Sequence, residues 1–464
     1  MALDNTKEYM KRKKTLSFID LVLFTFSAMF GVEAISSAAS IGPSAISWWI
    51  ICAVVFLLPL GFISAELGAT YPDQGGLYVW TKKALGKRWA ARITWFYWIS
   101  LPLWIPAIYI SVSEIIKHMF LVEITLWTQV AICIALIWAT VLVNLFSLSI
   151  SKWLPNMGSI ASFTIIIGII FAAITFLINN KDSANDINLI SILPNVDSSV
   201  VFIPMILYHF FGFEIVTGVA GEMKNPTRDI PRSIITSALI IVFFYLAVMT
   251  AMWVVIPVNE INATSGVFDI FSKTFGNTML GNIISMVLGF FIIFTLFTAV
   301  VAWTLGQNRV VAEAAINGEL PKTLGKINKK TMVPVGAAIV SGLISTVIVL
   351  IYGLVAKDAA GLFWNILSFS TVACSFSYVI LFPVYIILRK KDKGIKRPYQ
   401  VPGPEWFKIF TALIAEFFIL LTILVLMIQP GESFLENSLP VILGTIASIV
   451  AGEFIIYYSM NKKV

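Results

Sequence analysis

The sequence is short of charge, of cysteine and of histidine, and each shortage removes a class of function. Charged residues make up only 12% of its 464 positions, against about 25% in soluble globular domains. With 58% hydrophobic residues and a mean hydropathy of +0.90, this balance excludes a soluble globular protein. The three cysteines, Cys52, Cys133 and Cys374, are scattered through apolar runs. That spacing supplies neither a disulfide framework nor a metal-ligand set, and the residues are read as buried small hydrophobes. There are two histidines. The longest loops on one side, about 179–199 and 258–279, hold no His, Cys, Asp or Glu cluster at catalytic or metal spacing. No enzyme activity, metal or cofactor is therefore expected. The first apolar run has no A-x-A-like site and continues into a hairpin, so a cleaved signal peptide is not expected either.

What is present is a series of apolar runs long enough to span a bilayer, about 20 residues each. They fall at 17–40, 45–70, 90–117, 124–147, 152–178, 200–221, 234–257, 280–306, 332–353, 362–388, 406–428 and 437–460. The expected fold is an all-α polytopic membrane protein of twelve transmembrane helices. Placing the N-terminus in the cytoplasm puts 28 of the 32 basic residues inside and leaves four outside, Lys117, Lys181, Lys273 and Lys357. This is a strong positive-inside bias, so both termini are expected to be cytoplasmic in a multi-pass cell-membrane protein. The formal net charge of +7 is then a topology signal facing anionic lipid, and nucleic-acid binding is not expected.

Two segments are poor membrane spans in a related way. Phe30-Gly31-Val32-Glu33 interrupts the first, and Phe211-Gly212-Phe213-Glu214 interrupts the sixth, 181 positions later. Glycine weakens a helix by about 1 kcal/mol relative to alanine, and an ionised side chain at mid-membrane costs about 2.5–3.5 kcal/mol on insertion scales. Paired interruptions in two halves point to a transporter's binding site. At such a break, freed N–H groups suit a carboxylate and freed carbonyls suit an ammonium group. The candidate substrate-binding residues are Ser27, Ala28, Met29, Phe30 and Gly31 on the first segment, with Tyr208, Phe211, Gly212 and Phe213 on the sixth. Glu33 and Glu214 are candidate amine partners or proton sites. Trp98, Trp104, Trp303 and Trp364 lie on segments able to line a central cavity. For His209, beside the second break, a hydrogen-bonded packing role is favoured over a proton relay. Gly221-Glu222-Met223-Lys224-Asn225-Pro226 ends the sixth segment, because proline stops a helix. Glu222, close to several basic residues, is read as half of an inner-gate ion pair.

These residues resemble the amino acid–polyamine–organocation permeases. The sixth-segment tetrad followed by Gly221-Glu222-x-Lys224-Asn225-Pro226-x-Arg228-x-Ile230-Pro231-Arg232 carries the resemblance. So do Tyr71-Pro72-x-x-Gly75-Gly76-x-Tyr78 and the stretch from Arg309 to Asn317-Gly318-x-Leu320-Pro321, with Pro334 following. It covers about residues 15–395. It implies a five-plus-five inverted repeat of the LeuT-like type, 17–178 and 200–388, after a 1–16 cytoplasmic tail. Helices 11 and 12, at 406–460, stand outside the repeat. Helices 1 and 6 are broken around a central site, and transport proceeds by alternating access. Within the family the sequence is most similar to bacterial precursor–product exchangers of the glutamate/GABA, arginine/agmatine, tyrosine/tyramine and agmatine/putrescine kinds.

That similarity implies roles for individual residues. Trp303, in Trp303-Thr304-Leu305-Gly306-Gln307, matches a tryptophan that packs on substrate. Glu214 matches a glutamate tied to acid-dependent behaviour, and Tyr208 falls where such exchangers have a gating tryptophan. The usual Gly-Ser-Gly type break is replaced by the bulkier Ala28-Met29-Phe30-Gly31, and Glu33 is an extra acidic residue favouring a cationic amine with two positive ends. The expected function is a secondary transporter that exchanges an amino acid or amine for its metabolic product. The alternative is a proton-coupled amino acid or polyamine importer of the same fold; a membrane enzyme and a ligand-binding receptor rank below it. The expected partners are the small-molecule substrate, the bilayer and, as an option the sequence leaves open, a second copy in a homodimer.

Overall fold

The computed structural model describes residues 14–120, 124–146, 151–180, 182–194, 203–261, 266–276, 278–355, 359–428 and 433–461. Among them there is helix and no strand beyond one isolated parallel bridge between Leu16 and Met223. Ten helices are long and apolar enough to cross a membrane: Ala45–Thr70, Lys87–Lys117, Leu126–Asn144, Trp153–Asn179, Ile203–Glu222, Pro226–Val255, Gly281–Ile316, Ile366–Lys391, Glu405–Ile428 and Leu439–Asn461. Two shorter apolar helices, Phe18–Met29 and Val335–Ile351, coincide with the remaining expected segments.

Burial separates a centre from a rim. The most apolar stretches of Ile203–Glu222 and Lys87–Lys117 are 89% and 83% buried, whereas those of Glu405–Ile428 and Leu439–Asn461 are 33% and 22% buried. The last two therefore present most of their side chains outward, Phe417, Leu424, Val450 and Phe454 among them. Lipid tails are as apolar as these side chains, so helix association rests on close packing and hydrogen bonds. Gly306 is one such contact, since a Cβ there would collide with Ile215. Trp253 Nε1–H donates to the Ala39 carbonyl at 2.8 Å. Proline inside the Lys87–Phe120 helix is repaired from a neighbour. Pro106 cannot donate to the Pro102 carbonyl, and the Ser345 hydroxyl donates to it instead at 2.9 Å.

Both expected interruptions are real breaks. The first segment is a capped helix, Phe18–Met29, whose N-cap Ser17 and Asp20 form a capping box. It ends with Phe30 and Gly31 extended, and a second helix, Val32–Ala39, follows. The sixth is a short helix, Ile203–Tyr208, then a turn, then a 3₁₀ segment, Phe213–Glu222. Gly212 sits in the turn with φ +110°, a conformation costly to any residue with a Cβ. A Cβ there would also strike the Trp303 ring and the Met29 sulfur. The side chains of Glu33 and Trp364 lie outside the described residues.

Candidate functional site

The two breaks face one another across a central cavity of about 50 Å³. From the first segment its wall takes Ala28, Met29 and Gly31, and from the sixth Tyr208, His209 and Phe211. Trp303 and Gln307 contribute from the Met279–Ile316 helix, Ser100 and Trp104 from Lys87–Phe120, and Ser370 and Cys374 from Ala359–Lys391. A volume of this size holds a few waters. No lysine, arginine, aspartate or glutamate is among the described residues of the wall.

The expected site residues thus fall into layers. Ala28, Met29, Gly31, Tyr208, Phe211 and Trp303 face the cavity. Ser27 lies behind it, its hydroxyl 3.5 Å from that of Thr298. Phe30 is turned into an aromatic stack with Phe26 at 5.0 Å and lies against Tyr245 at 4.9 Å. Gly212 lets Trp303 and Met29 close in. Glu214 is buried one layer outside the wall, where Tyr378 Oη–H donates to its Oε1 at 2.8 Å. Trp98 is brought into a different cluster, its Nε1–H facing Asn308 Oδ1 at 3.2 Å and Ser341 Oγ at 3.0 Å.

The backbone freed by the first break is not left to solvent. The Tyr245 hydroxyl accepts from the Gly31 N–H at 2.9 Å and donates toward the Met29 carbonyl at 3.1 Å. Trp303 Nε1–H donates to the Ala28 carbonyl at 2.8 Å, so this indole both lines the cavity and clamps the break. Two buried wall residues keep an uncommitted polar atom. His209 holds the Met205 carbonyl through Nδ1 at 2.6 Å, while its Nε2 has no hydrogen-bond partner among the described residues, and neither has Gln307 Oε1.

At the far end of the sixth segment Glu222 forms an ion pair with Arg309 at 2.9 Å. The arginine is almost wholly buried and also donates to the Leu305 carbonyl at 2.7 Å. The Glu222 carbonyl accepts from the Thr15 and Leu16 N–H groups at 3.0 and 3.1 Å, so the chain ahead of the first helix is laced to the end of the sixth segment. A second buried node lies on Glu66, which accepts from Arg389, from Arg397 at 3.2 Å and from the Val401 N–H at 2.8 Å. Nearby, Tyr71 donates to Asp392 at 2.6 Å. Burial, then that hydrogen bond, pushes the Tyr71 phenol up to about 12, so it remains a donor throughout the working pH range.

Sequence reasoning missed Tyr245, Gln307, Ser370 and Ser100. Only Gln307 carried a signal, its place four residues after Trp303 on one helical face.

Comparisons agree with this arrangement. The family model described as an amino acid permease matches residues 16–450. The chain is 34% identical over 459 residues, 97% of each protein, to the probable agmatine/putrescine antiporter AguD of Lactococcus lactis subsp. lactis (strain IL1403). It is 24% identical over 442 residues to the glutamate/gamma-aminobutyrate antiporter of the same strain, covering 92% of this chain and 86% of that one. To the inner membrane transporter YjeM of Escherichia coli (strain K12) it is 25% identical over 429 residues, 84% of each. Matched along nearly its whole length by permeases and antiporters, the chain is a transporter rather than an enzyme, and it belongs to the amino acid permease family.

Proposed function

We propose that the protein exchanges a small organic amine for a metabolically related one, of the agmatine and putrescine kind, across the cell membrane by alternating access. The observation that carries the substrate class is the wall of the central cavity. It offers aromatic faces, Tyr208, Trp104 and Trp303, and unpaired acceptors, but no lysine or arginine among its described residues. Aromatic faces attract cations, and no lysine or arginine among those residues is there to hold an acidic substrate. The name of the AguD relative supports the same pair.

In this reading Trp303 and Tyr208 cover the substrate from opposite sides. Ala28, Met29, Gly31 and Phe211 shape its bed, while Ser27, Phe30 and Gly212 hold that shape from behind. Glu214 supplies negative potential from one layer out, and Glu33 meets a second positive end. Glu222 and Arg309 form the inner gate. The scaffold is twelve spans, with 17–178 and 200–388 as inverted repeats and both termini cytoplasmic, the arrangement that the 28:4 distribution of basic residues supports.

The test is uptake of labelled putrescine, agmatine, ornithine, arginine and glutamate into proteoliposomes with an empty or preloaded lumen. Uptake of the amines only into preloaded vesicles is expected. Uptake into empty vesicles driven by a proton gradient would make the protein an importer. Binding without flux would make it a receptor.

A further inference from the structure

We propose that His209 and Tyr245 are the specificity residues of the central site and set it against substrates that carry a carboxylate. The inference deepens the amine-exchange reading and rests on it. Two independent observations lead to it, one at each break.

At the first break, the group best placed to receive a carboxylate is the Gly31 N–H, at the start of the Val32–Ala39 helix and on the cavity wall. Such an N–H carries the positive end of a helix dipole and is an anion site when open. Here it is taken. Tyr245, wholly buried on the Pro226–Val255 helix, accepts that hydrogen at 2.9 Å and turns its own proton toward the Met29 carbonyl at 3.1 Å. The tyrosine is wedged in place by rings on three sides, Trp49 at 4.4 Å, Phe30 at 4.9 Å and His209 at 6.3 Å. A substrate carboxylate would have to displace a packed aromatic side chain to reach the Gly31 N–H.

At the second break, His209 presents the opposite chemistry. A carbonyl can only accept, so the 2.6 Å contact with Met205 fixes the imidazole hydrogen on Nδ1. In the neutral ring Nε2 is then a lone pair, buried, on the wall and without a partner among the described residues. An unsatisfied buried acceptor keeps the full cost of its lost hydration, a cost that a bound donor removes. The ammonium or guanidinium nitrogens of an amine are donors only; a carboxylate oxygen would meet this lone pair with its own. The Tyr208 ring stands edge-on to the imidazole at 4.8 Å and Trp49 lies at 6.4 Å, so rotation of the ring to offer a hydrogen instead is opposed by packing. One break thus withdraws the donor an amino acid needs, and the other supplies the acceptor an amine needs. A site built around committed polar groups rejects the wrong partner more strongly than one that merely fits it.

Putrescine against ornithine, and agmatine against arginine, differ only in the α-carboxylate, so affinity ratios within these pairs read the proposal directly. Binding to the purified full-length protein is measured by competition against labelled putrescine. The wild type is expected to favour each amine over its amino acid by at least about tenfold, 1.4 kcal/mol. His209→Leu is expected to lose about tenfold in amine affinity and less for the amino acid, whose carboxylate no longer meets the Nε2 lone pair. His209→Asn, which keeps an acceptor, should recover most of that loss. Tyr245→Phe, which exposes the Gly31 N–H, should narrow both ratios several-fold by improving ornithine and arginine. Should His209→Leu yield no folded protein, His209→Phe, suited to the aromatic surroundings, carries the same comparison. Amine affinity within twofold of wild type in a folded His209→Leu variant, or a wild-type ratio near one, overturns the proposal. If such a variant still exchanges amines in vesicles, the specificity device falls and the exchanger stands. If the wild type neither binds nor exchanges any amine, both readings fall together.

Discussion

Glu214 shows what a residue-scale reading of sequence can and cannot reach. Its cost at membrane depth marked it as functional, and burial beside the cavity accords with that, yet the carboxylate sits behind the wall with Tyr378 as its donor. In the proposed reading it acts from there by potential rather than by contact. Glu214→Gln keeps an acceptor for Tyr378 but removes the charge. We expect exchange to fall about tenfold or its pH profile to flatten while the unfolding temperature holds within a few degrees; unchanged rate and pH dependence would remove Glu214 from the mechanism. Trp303, on the cavity wall, is proposed to act by contact. Trp303→Phe preserves a ring but loses the hydrogen bond to the Ala28 carbonyl, a net contribution of about 1 kcal/mol, and Trp303→Ala loses the lid as well. Substrate affinity should therefore fall in the order wild type, Trp303→Phe, Trp303→Ala, and equal affinities would contradict the clamp. Tyr245 was illegible in the sequence for a physical reason. An interior tyrosine on an apolar helix reads as packing, and only the three-dimensional meeting of two elements 214 positions apart reveals which backbone atoms its hydroxyl holds.

At the scale of elements the breaks were legible because glycine and an ionisable residue within an apolar run contradict an unbroken span twice over. Both tetrads fall where the helices stop, with Phe30-Gly31 extended and Gly212 left-handed. The 3₁₀ winding of Phe213–Glu222 was not legible, since its composition also suits an α-helix. The proposed gate pair was half legible. Glu222 stood out, but several basic residues were near it in sequence, and Arg309, with which it pairs, lies 87 positions away. Both side chains are largely buried. Removing one partner of such a pair strands a charge at a cost of about 3–5 kcal/mol, whereas removing both costs less. Arg309→Ala should thus lower the unfolding temperature and abolish exchange, and the Glu222→Ala/Arg309→Ala double variant should be the more stable of the two. If the two variants are equally damaged, the pair is not coupled. The Leu16–Met223 bridge beside it left no trace in the sequence, because an isolated bridge imposes no periodicity.

The whole molecule is a graded object, with buried central helices carrying the cavity and a rim whose last two helices face outward. Hydropathy made the polytopic, all-helical character and the order of the apolar segments legible; depth in the bundle was not, since central and peripheral spans are similarly apolar and only packing separates them. The three free cysteines are buried, so topology can be read with single introduced ones. A cysteine replacing Lys322 or Lys393 should react with an impermeant maleimide only from the cytoplasmic side, and one replacing Lys273 only from outside; the reverse pattern would invert the orientation. Coupling belongs to this scale too, because a site that cannot be open to both sides, and crosses only when filled, must carry one molecule out for each one in. Dual-label flux in proteoliposomes measures it, following tritiated putrescine in and carbon-14 agmatine out under a clamped membrane potential. The account predicts a ratio of one at every internal concentration and no entry without internal amine; sustained entry into empty vesicles, or a ratio that drifts with the proton gradient, would contradict it.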